Sequence, residues 1–79
     1  MKINYRVSIN SDPKIVRSLW HATGRITKTR RDIEHHWKTN QITLNEERFF
    51  VEFDQPQNSI GSKMIGLWVR ENQVSRIGN

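Results

Sequence analysis

The residues best suited to chemistry in this 79-residue chain are basic side chains crowded between Lys14 and Lys38. That stretch holds seven lysines and arginines against Asp32 and Glu34, which gives it a formal charge of +5, equal to that of the whole chain. Guanidinium and ammonium groups bind phosphate through charge-assisted hydrogen bonds, and a charge this concentrated marks an anion-binding surface. Nucleic acid is the polyanion that such a surface most often meets, so the sequence predicts a nucleic-acid partner.

Histidine and glutamate supply a second kind of chemistry. The imidazole of His35 or His36, beside a carboxylate and an arginine, would provide the base, the acid and the phosphate clamp of a small ribonuclease. The carboxylates would be Glu46 and Glu47. No motif fixes their geometry, so we expect no catalytic residue and no enzyme. Adjacent histidines on a helix point about 100° apart, and the chain has no cysteine, so we also expect no metal and no cofactor.

Length and composition describe one small domain spanning residues 1–79. The absence of cysteine favours a reducing, cytoplasmic setting. No run of about 18 apolar residues occurs, so we expect no membrane partner.

The elements that position the basic residues begin with a strand. Apolar residues alternate with polar ones from Lys2 to Ile9, which is the period of a strand with one buried face. Asp12 and Pro13 then form a helix start, and apolar residues recur at helical spacing as far as Gly24, a residue that suits a helix end. The pattern predicts a first helix over residues 13–23.

A second helix is predicted over residues 29–39. Thr27 or Thr29 can cap it, and Ile33 and Trp37 lie four residues apart on one side, where they would face the core together with Trp20. The rest of the chain alternates as strands. Two sets of residues point inward: Phe49, Val51 and Phe53, and then Ile65, Leu67 and Val69. A last short strand is predicted from Val74 to Ile77. The predicted fold is α+β, a β-α-α-β-β domain with a short antiparallel sheet.

Two short helices joined by a turn that contains glycine match a helix-turn-helix, and residues 55–62 of the following hairpin would form a wing. Thr29-Arg30-Arg31-Asp32-Ile33-Glu34 resembles the opening of the recognition helix in winged-helix repressors that carry a Thr-x-Arg-Arg-Asp-Leu run. The resemblance covers residues 24–38. It implies that Thr29, Arg30 and Arg31 meet a DNA duplex and that Ile33 faces the core.

This interpretation predicts a small duplex-DNA-binding regulator or architectural factor, most plausibly a homodimer. Basic groups at the N-terminus of the second helix would receive phosphate, which the helix dipole also favours. The predicted contacts are Arg25, Thr27, Lys28, Thr29, Arg30, Arg31, His35 and Lys38, with Asn58, Ser59, Ser62 and Lys63 in the wing. The alternative is an inhibitor that uses the same arginines against the carboxylates of a protein that handles nucleic acid.

Strand alternation also defines a second candidate surface, on the side of the sheet away from the core. It places Phe50 and Trp68 there with Arg6, Arg48 and Arg70, a combination that resembles a stacking platform for single-stranded RNA. A dimer interface, or cover by the C-terminal tail, would bury the same aromatics. Because exposed apolar patches usually mark partner surfaces, these two explanations are favoured over base stacking.

Overall fold

The chain forms one antiparallel sheet of five strands. The computed structural model describes residues 1–59 and 61–78, and their side chains except those at 32–36 and 43–45. The strands lie in the spatial order β4-β3-β2-β1-β5. They are β1 (Arg6–Ile9), β2 (Thr23–His36), β3 (Gln41–Ser59), β4 (Ser62–Arg70) and β5 (Val74–Arg76), with single-turn 3-10 helices at Arg17–Leu19 and Glu71–Gln73.

The predicted α+β fold is therefore wrong, and the protein is mainly β. None of the described residues lies in an α-helix, so the helix-turn-helix and the resemblance to winged-helix repressors are wrong as well. In place of the first helix, residues 10–22 form a connection that crosses the core side of the sheet. Ile15 and Leu19, four apart, are both buried as a helical pattern requires, but the connection between them holds only one 3-10 turn, at Arg17–Leu19. Asp12 accepts a hydrogen bond from the Lys14 backbone N–H at 2.8 Å and so stabilises a turn.

The second predicted helix is replaced by strand β2 and the turn after it. β2 pairs with β3 from Gly24 opposite Phe53 to His36 opposite Gln41. Residues at the start of β2 alternate and are rich in β-branched threonine and isoleucine, which suits a pleated strand better than a helix. Trp37 lies in the turn and is 86% exposed, so its predicted place in the core is wrong. The predicted core role of Ile33 falls outside the described side chains.

The core lies on one side of the sheet. Val7 and Ile9 on β1, and Phe49, Val51 and Phe53 on β3, are buried there, which confirms the predicted burial of these five residues. The predicted strand from Lys2 is wrong at its start, because β1 begins at Arg6 and Ile3 is 45% exposed. On β4, Val69 is buried and Leu67 packs against the core, but Ile65 is 68% exposed and its predicted burial is wrong. The full set of buried apolar residues is Val7, Ile9, Ile15, Leu19, Ile26, Phe49, Val51, Phe53, Val69 and Val74.

The connection that covers this core is fastened by Trp20. Its indole Nε1–H donates to the carbonyl oxygens of Asp12 at 3.0 Å and Ile15 at 3.1 Å, and the ring packs against the buried cluster. Because a buried indole N–H that lacks a partner is costly, this pair of bonds fixes the loop where a helix was expected.

Gly24 has a different role from the predicted helix end. It is buried within β2, where a Cβ would overlap the carbonyl oxygen of Glu52 and lie 2.8 Å from Cγ1 of Val51. A side chain at this position would separate β2 from β3 next to the core. The glycine is needed for close approach of the two backbones.

Beyond the five-stranded region, β2 and β3 continue as a two-stranded arm, residues 31–47. β1 pairs with β2 only through Thr23, Gly24 and Arg25, while β4 reaches β3 no farther than Arg48. The arm adds to the long dimension of the molecule, whose principal extents are 45 × 32 × 19 Å. Asn40, which adopts a left-handed conformation with φ of 53°, lies in its turn.

Candidate functional site

The side of the sheet opposite the core carries basic and aromatic residues in register across three strands. Residues directly opposite on antiparallel strands project to the same side. Arg30, Arg48 and Arg70 are opposite one another on β2, β3 and β4. The next row holds Lys28, Phe50 and Trp68. We call this side, with its two rows, the outer face.

Phe50 and Trp68 form the aromatic centre of the outer face. Their ring centroids are 5.3 Å apart with an interplanar angle of 61°, an edge-to-face pair. Gly66 makes room for this arrangement, because a Cβ there would lie 2.6 Å from Cε2 of Phe50 and 2.6 Å from the carbonyl oxygen of Val51. Trp68 remains 36% exposed. The pair is therefore held in place and is still open to a ligand.

Cations lie over both rings. The Nζ of Lys28 is 5.7 Å from the Phe50 ring centroid, and the Cζ of Arg30 is 5.3 Å from the Trp68 ring centroid. Both distances allow a cation–π interaction. The aromatic surface is thus bordered by positive charge on the β2 side and by the arginine row at one end.

At the opposite end of the outer face, two arginines and two carboxylates balance in charge. Arg6 and Arg25 are opposite each other on β1 and β2, and Arg25 is opposite Glu52 on β3. Arg6 is held by Asp54, with Nη2 and Oδ2 2.6 Å apart. The charge of Arg6 is therefore largely compensated within the protein. Arg30, Arg48 and Arg70 lie at the other end of the outer face.

Asp54 itself is stabilised as a carboxylate. The Thr23 hydroxyl donates to its Oδ2 at 2.8 Å, and this bond, followed by those from Arg6, holds the pKa of Asp54 below its usual value of 3.8. A carboxyl whose pKa is lowered by folding stabilises the folded state above its ordinary pKa. The contribution is lost as the pH falls through the lowered pKa.

Thr23→Val is therefore expected to raise the pKa of Asp54 toward 3.8. Protonation of Asp54 at acid pH should then destabilise the folded state less. An NMR titration of the Asp54 carboxyl carbon measures the shift, and Thr29→Val is a matched control on the other side of β2. An unchanged Asp54 titration in Thr23→Val would show that the hydroxyl does not set this pKa.

The residues predicted to touch DNA do not form one surface. Arg25, Lys28 and Arg30 lie on the outer face, but Thr29 and Arg31 are opposite Phe49 and Glu47 on the core side of β2. Arg31 is 3.7 Å from the Glu47 carboxylate, Lys38 is exposed in the turn of the arm, and Thr27 lies at an irregularity in the β2–β3 register. The predicted contact of His35, like the acid–base role of either histidine, falls outside the described side chains.

The residues of the predicted wing lie where β3 ends and β4 begins. Asn58 is opposite Lys63, and Ser59 is opposite Ser62. Ser59 is only 5% exposed, and its hydroxyl accepts a hydrogen bond from Ser18 at 3.5 Å. This serine therefore supports the connection over the core and does not form an exposed contact.

Strand alternation had placed five members of the outer face together: Arg6, Arg48, Phe50, Trp68 and Arg70. It missed Lys28 and Arg30, which had been assigned to a helix start. The signal that would have found them is the Lys28-Thr29-Arg30 alternation, read as a strand. The described tail does not cover the aromatics, because β5 pairs with β1 at the other edge of the sheet.

No protein-family model, curated protein or solved structure matches this chain. Within the described residues there is no helix long and apolar enough to span a bilayer. The same residues contain no cluster of three or more histidine, cysteine or acidic side chains that would hold a metal ion. The outer face is therefore the candidate functional site of the described residues.

Proposed function

We propose that the protein binds single-stranded nucleic acid on its outer face. The bases stack on Phe50 and Trp68, and the phosphates pair with the neighbouring cations. The observation that carries the proposal is the placement of a partly exposed aromatic pair among Lys28, Arg30, Arg48 and Arg70 on one sheet surface. Stacked bases and paired phosphates are the two interactions by which such surfaces hold a single strand.

The aromatic pair favours a single strand over a duplex. Base faces in a duplex are covered by their neighbours, whereas bases in a single strand can stack on an aromatic ring or on a guanidinium plane. Arg30 over Trp68 offers both kinds of surface within 5.3 Å. The proposed contacts are to bases and phosphates, which RNA and DNA share, so either nucleic acid can be the ligand.

The arginine row supplies the phosphate contacts. Neighbouring strands lie about 4.8 Å apart, so three arginines in one row span roughly 10 Å. Each guanidinium can also form a two-pronged hydrogen bond to phosphate oxygens.

Arg30 and Arg31 provide the test, because they are adjacent in sequence and project to opposite sides of β2. Arg30→Ala is expected to weaken binding of oligo(dT) and oligo(rU), and to reduce the slope of log affinity against log salt by about 0.7 for the lost phosphate contact. Fluorescence anisotropy over a salt series measures both quantities, separately for DNA and RNA.

Arg31→Ala is the matched control, since Arg31 is paired with Glu47 on the core side. It should leave affinity and slope close to those of the unchanged protein. Equal losses in the two variants, or tighter binding of a duplex than of either single strand, would contradict the proposal.

A further inference from the structure

Strand β4 is an edge strand, and at its end the Arg70 backbone N–H donates to the Gln73 side chain at 2.9 Å. It forms one boundary of the sheet, and its nine residues, Ser62–Arg70, contain no proline. The other boundary, β5, has three residues. A long edge strand leaves a row of backbone N–H and C=O groups that a further strand can pair with, whereas a short edge offers few. Ile65, 68% exposed, adds apolar surface to β4.

A cavity of about 480 Å³ lies beside this edge, between β4 and the connection over the core. Its apolar walls come from Ile15, Val16, Leu19, Met64 and Leu67. The volume is in the range of pockets that receive ligand groups or side chains. Edge strand and cavity together match strand addition, in which backbone hydrogen bonds give affinity and a pocket takes an alternate side chain.

The charge around the edge selects the partner. Lys14 lines the cavity, and Lys63 and Arg70 lie near the two ends of β4. Glu71, which follows Arg70, has its carboxylate 3.6 Å from the N-terminal amino group. Its negative charge is therefore paired with that amino group and not with the cations of the edge. A second copy would bring the same cations and another formal charge of +5, which opposes pairing of β4 with itself. An acidic segment would complement them.

We propose that the β4 edge binds an extended acidic segment of a partner protein as a sixth strand, with an apolar side chain of that segment in the cavity. The surface overlaps the aromatic and arginine rows at two residues, Trp68, which also borders the cavity, and Arg70, which ends β4. The proposal is independent of nucleic-acid binding, and either can fail without the other.

Selection from a display library of random peptides long enough to match β4 tests the proposal. Enriched peptides should alternate apolar with acidic residues. They should shift amide NMR signals along Ser62–Arg70 and leave Val74–Arg76 unchanged. Val16→Glu, at a 43% exposed cavity residue, should weaken the selected peptides by about tenfold or more, because it sets like charges against each other.

Ile3→Glu is the matched control, because Ile3 is 45% exposed and does not line the cavity. This variant should bind the peptides as the unchanged protein does, and both variants should bind oligo(dT) equally. The proposal is overturned by a selection with no enrichment, by peptides that are not acidic or that bind elsewhere, or by self-association through β4.

Discussion

Phe49→Ala is expected to unfold the protein or to leave it close to its unfolding midpoint. Phe49 is 2% exposed at the centre of the core, opposite Val69 on β4. Truncating a buried phenylalanine costs about 3–5 kcal/mol, through lost burial and the cavity left behind. A chain of 79 residues has about 4–12 kcal/mol of stability in total. Urea denaturation followed by circular dichroism measures the loss.

Phe50→Ala is the comparison, because the two residues are neighbours in β3 that project to opposite sides of the sheet. Phe50 is partly exposed and contacts Trp68, so its truncation should cost much less and leave a cooperatively folded protein. If Phe49→Ala unfolds at the same urea concentration as the unchanged protein, the assignment of the core side is wrong.

The second large effect is expected in binding. Replacing both Phe50 and Trp68 with leucine keeps apolar bulk on the outer face but removes both stacking surfaces. Each base that loses an aromatic partner costs about 1–3 kcal/mol, so single-strand affinity should fall roughly 30-fold or more. Anisotropy with oligo(dT) and oligo(rU) measures the loss, and a denaturation curve on the same preparation checks the fold.

Trp37→Leu is the matched control, since it removes a tryptophan that is 86% exposed but lies in the turn of the arm, away from the outer face. It should not change affinity. Light scattering on the same samples distinguishes a dimer interface from a stacking surface. A dimer that becomes monomeric in the double variant, with single-strand affinity retained, would assign Phe50 and Trp68 to subunit contact.

The sequence predicted the strands best where burial alternates along a short segment. Val7 and Ile9, like Phe49, Val51 and Phe53, were placed correctly because a period of two belongs to the strand itself. The first helix was wrong because an irregular connection with one 3-10 turn, at Arg17–Leu19, buries Ile15 and Leu19 as well as a helix would. Packing against the sheet determines the conformation of this connection, and no local sequence pattern encodes that packing.

The outer face was predictable in part for the same reason. Alternation put Phe50 and Trp68 on one side, but the row of Arg30, Arg48 and Arg70 depends on which residues of three strands become opposite. That register is set by pairings between distant segments. Irregularities in it, such as the one between Ile26 and Lys28, cannot be predicted from the local sequence. Arg30 and Arg31 therefore looked like one cluster, although they project to opposite sides.

The pairing of β5 with β1 has a consequence for how the chain folds during synthesis. Val74 is opposite Ile9, and the Ser75 hydroxyl donates to the side chain of Asn10 across 65 residues of sequence. β5 leaves the ribosome after the other four strands. Until then β1, which carries the apolar Val7 and Ile9, is an unpaired edge strand. Contacts between such distant segments form slowly, and open edges promote aggregation. Nascent chains that stop short of Val74 are therefore the species for which the cell would most need a chaperone.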